Sequence, residues 1–255
     1  MTAAIEVSGP AEPWGYGLAL PLQMEGRRAV VAEVECLSGR IGVGCTDPGL
    51  VRFNSNRVPL CPSDGRKRVV LVLEQPEPAH LIVCNYGHSD SRAVLHRFDV
   101  VDYDSLPARD RYEARLTQCS YWHYDYEFPY GLAVTANMPT QQQLHNVNRR
   151  VLDRLMAETA PNARTVLDLG CSSGWHSLRM AERGLSVRAI DIDPDQINQA
   201  QLVKELLGEG LDLSFEVGDV FALQPQPYDL VHCSGLLYHL KDITAQPWAL
   251  WSIPT

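Results

Sequence analysis

Asp168 lies within an apolar, β-branched run, Thr165-Val166-Leu167-Asp168-Leu169, and Gly170-Cys171-Ser172-Ser173-Gly174 follows it directly. Residues 175–183 then have helical spacing, with Gly184 positioned as a C-cap. A strand, a glycine-rich turn and a helix in that order let a ligand approach backbone at a helix N-terminus. A glycine at 170 removes the Cβ that would stand in its way. Gly170 and Gly174 are four positions apart, so the dinucleotide fingerprint G-x-G-x-x-G is not matched. A carboxylate at this strand end repels a pyrophosphate and attracts an ammonium, which argues against a dinucleotide and for a ligand carrying a cationic group.

A second strand, 185–190, ends on Asp191, placed roughly 20 residues past the glycine turn to accept two ribose hydroxyls. Asp193-Pro194-Asp195-Gln196 supplies an N-cap, a proline in the first helical turn and a glutamine at N3, a capping-box pattern. Asp193 thus has a structural explanation that Asp191 lacks. The third strand, 213–217, runs into Gly218-Asp219-Val220, where Asp219 can accept from an exocyclic amine and Val220 or Phe221 can flank a base. The fourth, 228–233, leads into Ser234-Gly235-Leu236-Leu237-Tyr238-His239-Leu240. His176, His232 and Trp175 are read as structural, with Trp175 also able to shape the site mouth. Carboxyl ends of parallel strands are where an open α/β sheet binds ligands, so the four strand ends predict one site.

The remaining elements position that edge. Helical spacing of Leu144, Val147, Val151 and Leu155 predicts an amphipathic helix opening at Thr140 and ended by Pro161-Asn162. Before it, 101–139 is a polar and aromatic connector, with Tyr121-Trp122-His123-Tyr124-Asp125-Tyr126 able to line a pocket, cover it, or form a packing seam. The first hundred residues read as short strands at 16–24, 28–36, 68–73, 80–85 and 93–100, separated by Gly, Pro, Ser and Asp, which predicts a small all-β sandwich or barrel. No catalytic constellation stands there; Asn54, Asn56, Arg57 and Asn85 are read as solvated loop residues, with a polar binding face as the alternative. The expected domains are 1–105, a β-sandwich-like N-terminal domain; 106–160, an aromatic and helical connector; and 161–255, an α/β core.

The chain has 255 residues, and its 31 acids against 22 bases give a formal net charge of -9, which weighs against a broad nucleic-acid footprint. A composition that is 45% hydrophobic excludes disorder as the main state. Residues 1–100 hold 10 bases and 11 acids, and residues 101–255 hold 12 and 20, so the excess negative charge lies in the α/β half. Seven cysteines without a C-x-x-C pair suit reduced thiols rather than a disulfide framework or a metal site. Residues 1–13 show no secretory leader, and no apolar run is long enough for a membrane helix, so a cytoplasmic location is expected.

Taken in order, Val166-Leu167-Asp168-Leu169-Gly170-Cys171-Ser172-Ser173-Gly174, Ala189-Ile190-Asp191-Ile192-Asp193-Pro194, Gly218-Asp219 and Tyr228-Asp229-Leu230-Val231 through Leu237-Tyr238-His239-Leu240 resemble the class I S-adenosylmethionine-dependent methyltransferases, over roughly residues 140–242. Ser172 stands where many members carry a middle glycine. The Tyr-Trp-His cluster, with Leu237-Tyr238-His239, is similar to the branch that includes tRNA wobble-uridine modifying transferases. The resemblance implies a Rossmann-like sheet and S-adenosylmethionine as cofactor. Asp168 and Gly170 then face its methionine part, Asp191 holds the ribose, Ile192 packs on adenine and Asp219 meets the adenine amine. Cys171, Gly174, Val220 and Ser234 complete the cofactor-binding set. His239 then takes a proton from an oxygen or nitrogen nucleophile and Tyr238 orients it, with no metal required. The family sheet has seven strands and only four are legible here, so the core reads as incomplete, with the fourth strand an exposed edge calling for a second copy or a partner. The alternative is a non-catalytic module in which the β-domain binds a glycan or protein.

Overall fold

The computed structural model describes residues 4–9, 12, 15–23, 25–55, 57–73, 78–119, 121–159, 161–224 and 226–239. The expectation that 240–255 adds no further strand lies outside the described residues, as does the placement of Asn56. The chain divides into two compact units, Met1–Ser120 and Tyr121–Thr255. No described helix is long and apolar enough to cross a membrane.

The first unit contains β1 (Ile5–Gly9), β2 (Tyr16–Leu22), β3 (Arg28–Ser38), β4 (Ile41–Thr46), β5 (Val58–Leu60), β6 (Arg66–Leu73), β7 (Ala79–Asn85), β8 (Ser91–Asp102) and α1 (Ala108–Gln118). The strands form two antiparallel sheets, ordered β1-β8-β3-β6 and β2-β7-β4-β5. Along β3, Val30, Ala32, Val34 and Cys36 point into the core, the period of two that a sheet with one buried face requires. They share that core with Leu71 and Leu95 of their own sheet and with Val43, Leu81 and Val83 of the other. On the opposite side of β3, Ala29 joins Val70, Val72, Tyr103, Leu106 and Ala114, so α1 covers the outer face. The sequence reading missed β1 and β5, which are short, and β4, whose Gly42 and Gly44 interrupt the apolar run. Gly42 is small because a Cβ there would meet the Tyr86 ring at 3.1 Å.

The second unit opens with a hairpin of β9 (Tyr126–Phe128) and β10 (Leu132–Val134), followed by α2 (Pro139–Thr159). It continues as β11 (Thr165–Leu169), α3 (Trp175–Ala181), β12 (Ser186–Asp191), α4 (Pro194–Leu207), β13 (Leu213–Val217) and β14 (Leu230–His232). These four strands form a parallel sheet in the order β13-β12-β11-β14, the alternation and direction that the sequence predicts. Among the described residues β14 pairs with β11 alone, at Val166↔Leu230, Leu167↔Val231 and Asp168↔His232.

Helix α2 corrects the sequence reading. The buried side chains are Leu152 and Met156, whereas Val147, Val151 and Leu155 of the expected apolar stripe are about half exposed. The side chain of Leu144 lies outside the described residues. The helix is therefore turned so that part of its apolar surface stays open.

Gly174 precedes α3 with φ of 81°. A Cβ on it would lie 2.5 Å from Cζ of Phe215 and 3.2 Å from Ala200, so close helix-to-sheet packing requires this glycine as much as the backbone angle does. Gly174→Ala is expected to lower stability by about 2–3 kcal/mol, the sum of a left-handed backbone cost and an overpacked contact. Thermal melts of the two proteins check this; equal melting temperatures would contradict the packing argument.

Candidate functional site

Four amides of the turn between β11 and α3 are used internally. Gly170 N–H and Cys171 N–H donate to the Ile190 carbonyl at 2.8 and 3.1 Å, and Gly174 N–H donates to Cys171 at 2.9 Å. Ser172 N–H donates to Asp191 Oδ2 at 2.8 Å. A phosphate cradle needs such donors free, and these four are not. Ser172 has φ of 51°, which most side chains avoid, and its hydroxyl donates to Gln196 Oε1 at 2.8 Å. Gln196 thus spans from α4 to the turn instead of closing the expected capping box, while Asp193 caps α4 by accepting from Asp195 N–H at 2.9 Å. Cys171 is buried, and burial pushes its thiol up strongly.

Asp168 does not present its carboxylate to a ligand. It is 1% exposed; Oδ2 accepts from Ser177 Oγ at 2.5 Å and Oδ1 pairs with His232 Nδ1 at 2.8 Å. Burial is the largest influence on this carboxyl and raises it. The hydrogen bond and charge of His232, then Ser177 and His176, outweigh burial and hold it below its ordinary 3.8. Burial likewise pulls the His232 imidazole down, and the hydrogen bond and charge of Asp168 hold it above 6.5. The sequence reading gave His232 a structural part and missed this pair. The available signal was register: a histidine on one parallel strand stands directly beside an acid on the next.

At the end of β12, Asp191 accepts from Ser172 N–H through one oxygen and from Asp193 N–H, at 3.0 Å, through the other. Each oxygen keeps a second lone pair, so the carboxylate is fixed and can still accept from two hydroxyls. Ile192, 69% exposed, and Phe221, 47% exposed, are apolar surfaces at neighbouring strand ends. Asp219 is exposed and accepts from Phe221 N–H at 2.9 Å, which shapes the turn. Val220 departs from expectation: it is buried against Leu167, Leu169 and Ile190, so Phe221 is the residue free to flank a planar ring.

The aromatic segment before α2 packs on this turn. Tyr124 stacks on Trp175 at 5.1 Å, and Gln199 of α4 donates to the Tyr121 carbonyl at 2.9 Å. Tyr126 is fully buried and its hydroxyl donates to the Ser173 carbonyl at 2.9 Å. Burial pushes the Tyr124 phenol up to about 12; it lowers the half-buried His123 imidazole, against the opposing charge of Asp191. Tyr126→Phe keeps the ring and strands the Ser173 carbonyl, so a loss of about 1–2 kcal/mol is expected in chemical denaturation. No change in the denaturation midpoint would show that this bond does not anchor the segment.

On the far side, a Cβ on Gly170 would meet Leu236 at 3.1 Å, so the turn after β14 lies against the glycine turn. Ser234 is exposed there, and Tyr238 and His239 sit exposed on a one-turn helix, Leu237–His239, with ring centroids 4.3 Å apart. The structure thus gathers Gly170, Asp191, Ile192, Asp219 and Ser234 at one sheet edge and moves Asp168, Cys171, Gly174 and Val220 behind it.

A parallel sheet ordered β13-β12-β11-β14, with an acid-tipped second strand and exposed apolar residues at the neighbouring strand end, forms a Rossmann-like α/β unit. Residues 166–249 match the family model described as a methyltransferase domain. The chain is 33% identical over 108 residues to a ubiquinone biosynthesis O-methyltransferase of Xylella fastidiosa (strain M23), covering 41% of this chain and 43% of the relative. It is 36% identical over 106 residues to the enzyme of that name from Xanthomonas axonopodis pv. citri (strain 306), covering 41% and 44%. The matches thus span less than half the length of these curated relatives. Among solved structures, the N-terminal domain of EvdMO1 in the presence of SAH and D-fucose is 25% identical with a TM-score of 0.46, covering 57% of this chain and 59% of that one. Magnesium protoporphyrin IX methyltransferase from Synechocystis PCC 6803 with bound SAH is 25% identical with a TM-score of 0.35, covering 41% and 50%.

Proposed function

We propose that the second unit binds S-adenosylmethionine along the carboxyl edge of its sheet and that the chain transfers the methyl group to an oxygen or nitrogen of an acceptor molecule. The observation that carries this reading is the glycine turn, four of whose amides are bonded internally while Asp191 stands fixed beside it. That arrangement suits a nucleoside without a phosphate. Asp191 takes the ribose hydroxyls, Ile192 and Phe221 flank the base, and Asp219 accepts from its amine. The bound sulfonium supplies an already electrophilic methyl, so the chain's own contribution is alignment and exclusion of water. The relatives named as O-methyltransferases favour oxygen as the acceptor atom. Asp168 acts from behind the turn, holding His232 and Ser177 in place. The seven free cysteines suit a reducing compartment such as the cytoplasm.

Titrating S-adenosylhomocysteine into the purified chain by calorimetry tests the reading. One site of micromolar affinity is expected, and no heat of binding at millimolar ligand would overturn it.

A second reading rests on the β14 edge, which has one partner strand among the described residues. In it the chain is catalytically impaired, its N-terminal β-sandwich binds a glycan or protein, and a second copy or a partner covers the edge. Sedimentation distinguishes the two, since this reading requires a stable dimer or complex.

A further inference from the structure

The aromatic segment ahead of α2 is pinned to the second unit along its length. Gln199 Nε2 of α4 donates to the Tyr121 carbonyl at 2.9 Å. Trp122 is buried and its backbone is paired with Asn137, whose N–H donates to the Trp122 carbonyl at 2.9 Å and whose Oδ1 accepts from the Trp122 N–H at 2.5 Å. Asp125 Oδ1 accepts from Ala136 N–H at 2.7 Å, and the Tyr126 hydroxyl donates to the Ser173 carbonyl. Tyr124 stacks on Trp175, the first residue of α3. The segment therefore crosses from α4 to α3, beside the turn that Asp191 ties down through Ser172 N–H.

His123 stands between those two crossings. The Tyr121 ring meets it edge-on, with centroids 4.7 Å apart, and so fixes one side of the imidazole. Burial lowers this half-buried imidazole and the charge of Asp191 opposes that effect, so the two groups are within electrostatic reach of each other. A carboxylate only accepts hydrogen bonds, whereas a neutral imidazole offers one N–H donor and one acceptor. A hydroxyl that donates to the carboxylate keeps lone pairs for a second bond. A carboxylate and an imidazole converging on one space therefore suit a vicinal diol. The carboxylate receives both hydroxyl protons, and the imidazole N–H bonds one of the oxygens.

We propose that His123 is a second holder of the cofactor ribose, donating from a ring nitrogen to one of the hydroxyls that Asp191 receives. The proposal rests on the S-adenosylmethionine reading and deepens it, since the diol is then recognised from the aromatic segment as well as from the end of β12. The segment is already held by Gln199, Asn137, Ala136 and Ser173, so ordering it costs the ligand little. His123 acts on binding and takes no part in the transfer of the methyl group.

The test is calorimetry on the full chain with three probes: S-adenosylhomocysteine, its 2′-deoxy form and its 3′-deoxy form. His123→Ala is expected to weaken S-adenosylhomocysteine about five- to tenfold, the worth of one hydrogen bond. The same substitution should weaken one of the deoxy forms, the one lacking the bonded hydroxyl, by less than about twofold. His123→Asn and His123→Gln set an amide donor near one or the other ring nitrogen, and one of them should recover part of the lost affinity. Discrimination among the three probes is read within each protein, so a general loss of stability does not imitate it. The proposal is overturned if wild type binds S-adenosylhomocysteine and His123→Ala weakens all three probes equally or none of them. It is also overturned if neither amide variant binds better than His123→Ala. Failure of the wild-type chain to bind S-adenosylhomocysteine instead removes the cofactor reading, and this proposal with it.

Discussion

Asp168→Ala should destabilise the second unit by about 3–5 kcal/mol, the cost of breaking a buried pair by removing one partner. The side chain is all but inaccessible, and its loss strands the Ser177 hydroxyl and His232 Nδ1 at once. Trp122 and Trp175 are both buried in this unit, so their fluorescence reports its denaturation directly. The pH dependence carries a sign that a simple packing defect lacks. A histidine raised above 6.5 in the fold contributes fully below 6.5 and ceases to contribute as pH rises through its folded value. A carboxylate held below 3.8 contributes fully above 3.8 and ceases to contribute as pH falls through its folded value. The difference between wild type and Asp168→Ala should therefore be greatest between about pH 4 and 6.5 and shrink on either side. A difference independent of pH would show that the pair is not ionic.

The α/β half was legible because β11 and β12 are largely buried and announce themselves as apolar runs closed by Gly or Asp. Asp191 was legible for a further reason: Asp193 already accounts for the helix cap, which leaves the preceding acid unexplained. Tertiary placement was not legible. Local pattern cannot tell that Val220 turns inward and Phe221 outward, because both are apolar and one residue apart. Nor can periodicity alone choose between Val147-Val151-Leu155 and Leu152-Met156 as the buried stripe of α2, since both have helical spacing; what lies opposite decides. The Asp168–His232 pair joins residues 64 apart and exists only through the β11–β14 register. The glycine turn was read as open to ligand, whereas its amides are closed on Ile190 and Asp191; those partners arrive from β12.

Asp191→Ala should weaken S-adenosylhomocysteine by about 100-fold. Two hydroxyls bonded to one carboxylate are worth about 3 kcal/mol together, and each 1.4 kcal/mol is a factor of ten. The same carboxylate also ties Ser172 N–H to Asp193 N–H, so the variant can lose affinity through a displaced turn as well as through lost contacts. Asp191→Asn separates these causes. The amide keeps one of the two turn bonds, gives up the other, and presents there a donor that cannot accept from a hydroxyl. If the carboxylate acts on the ligand, Asn should bind nearly as poorly as Ala while melting between Ala and wild type. If it acts only on the turn, affinity should follow melting temperature through the series. Calorimetry and thermal melts on the three proteins decide between these, and affinity unchanged in both variants would remove Asp191 from the binding site.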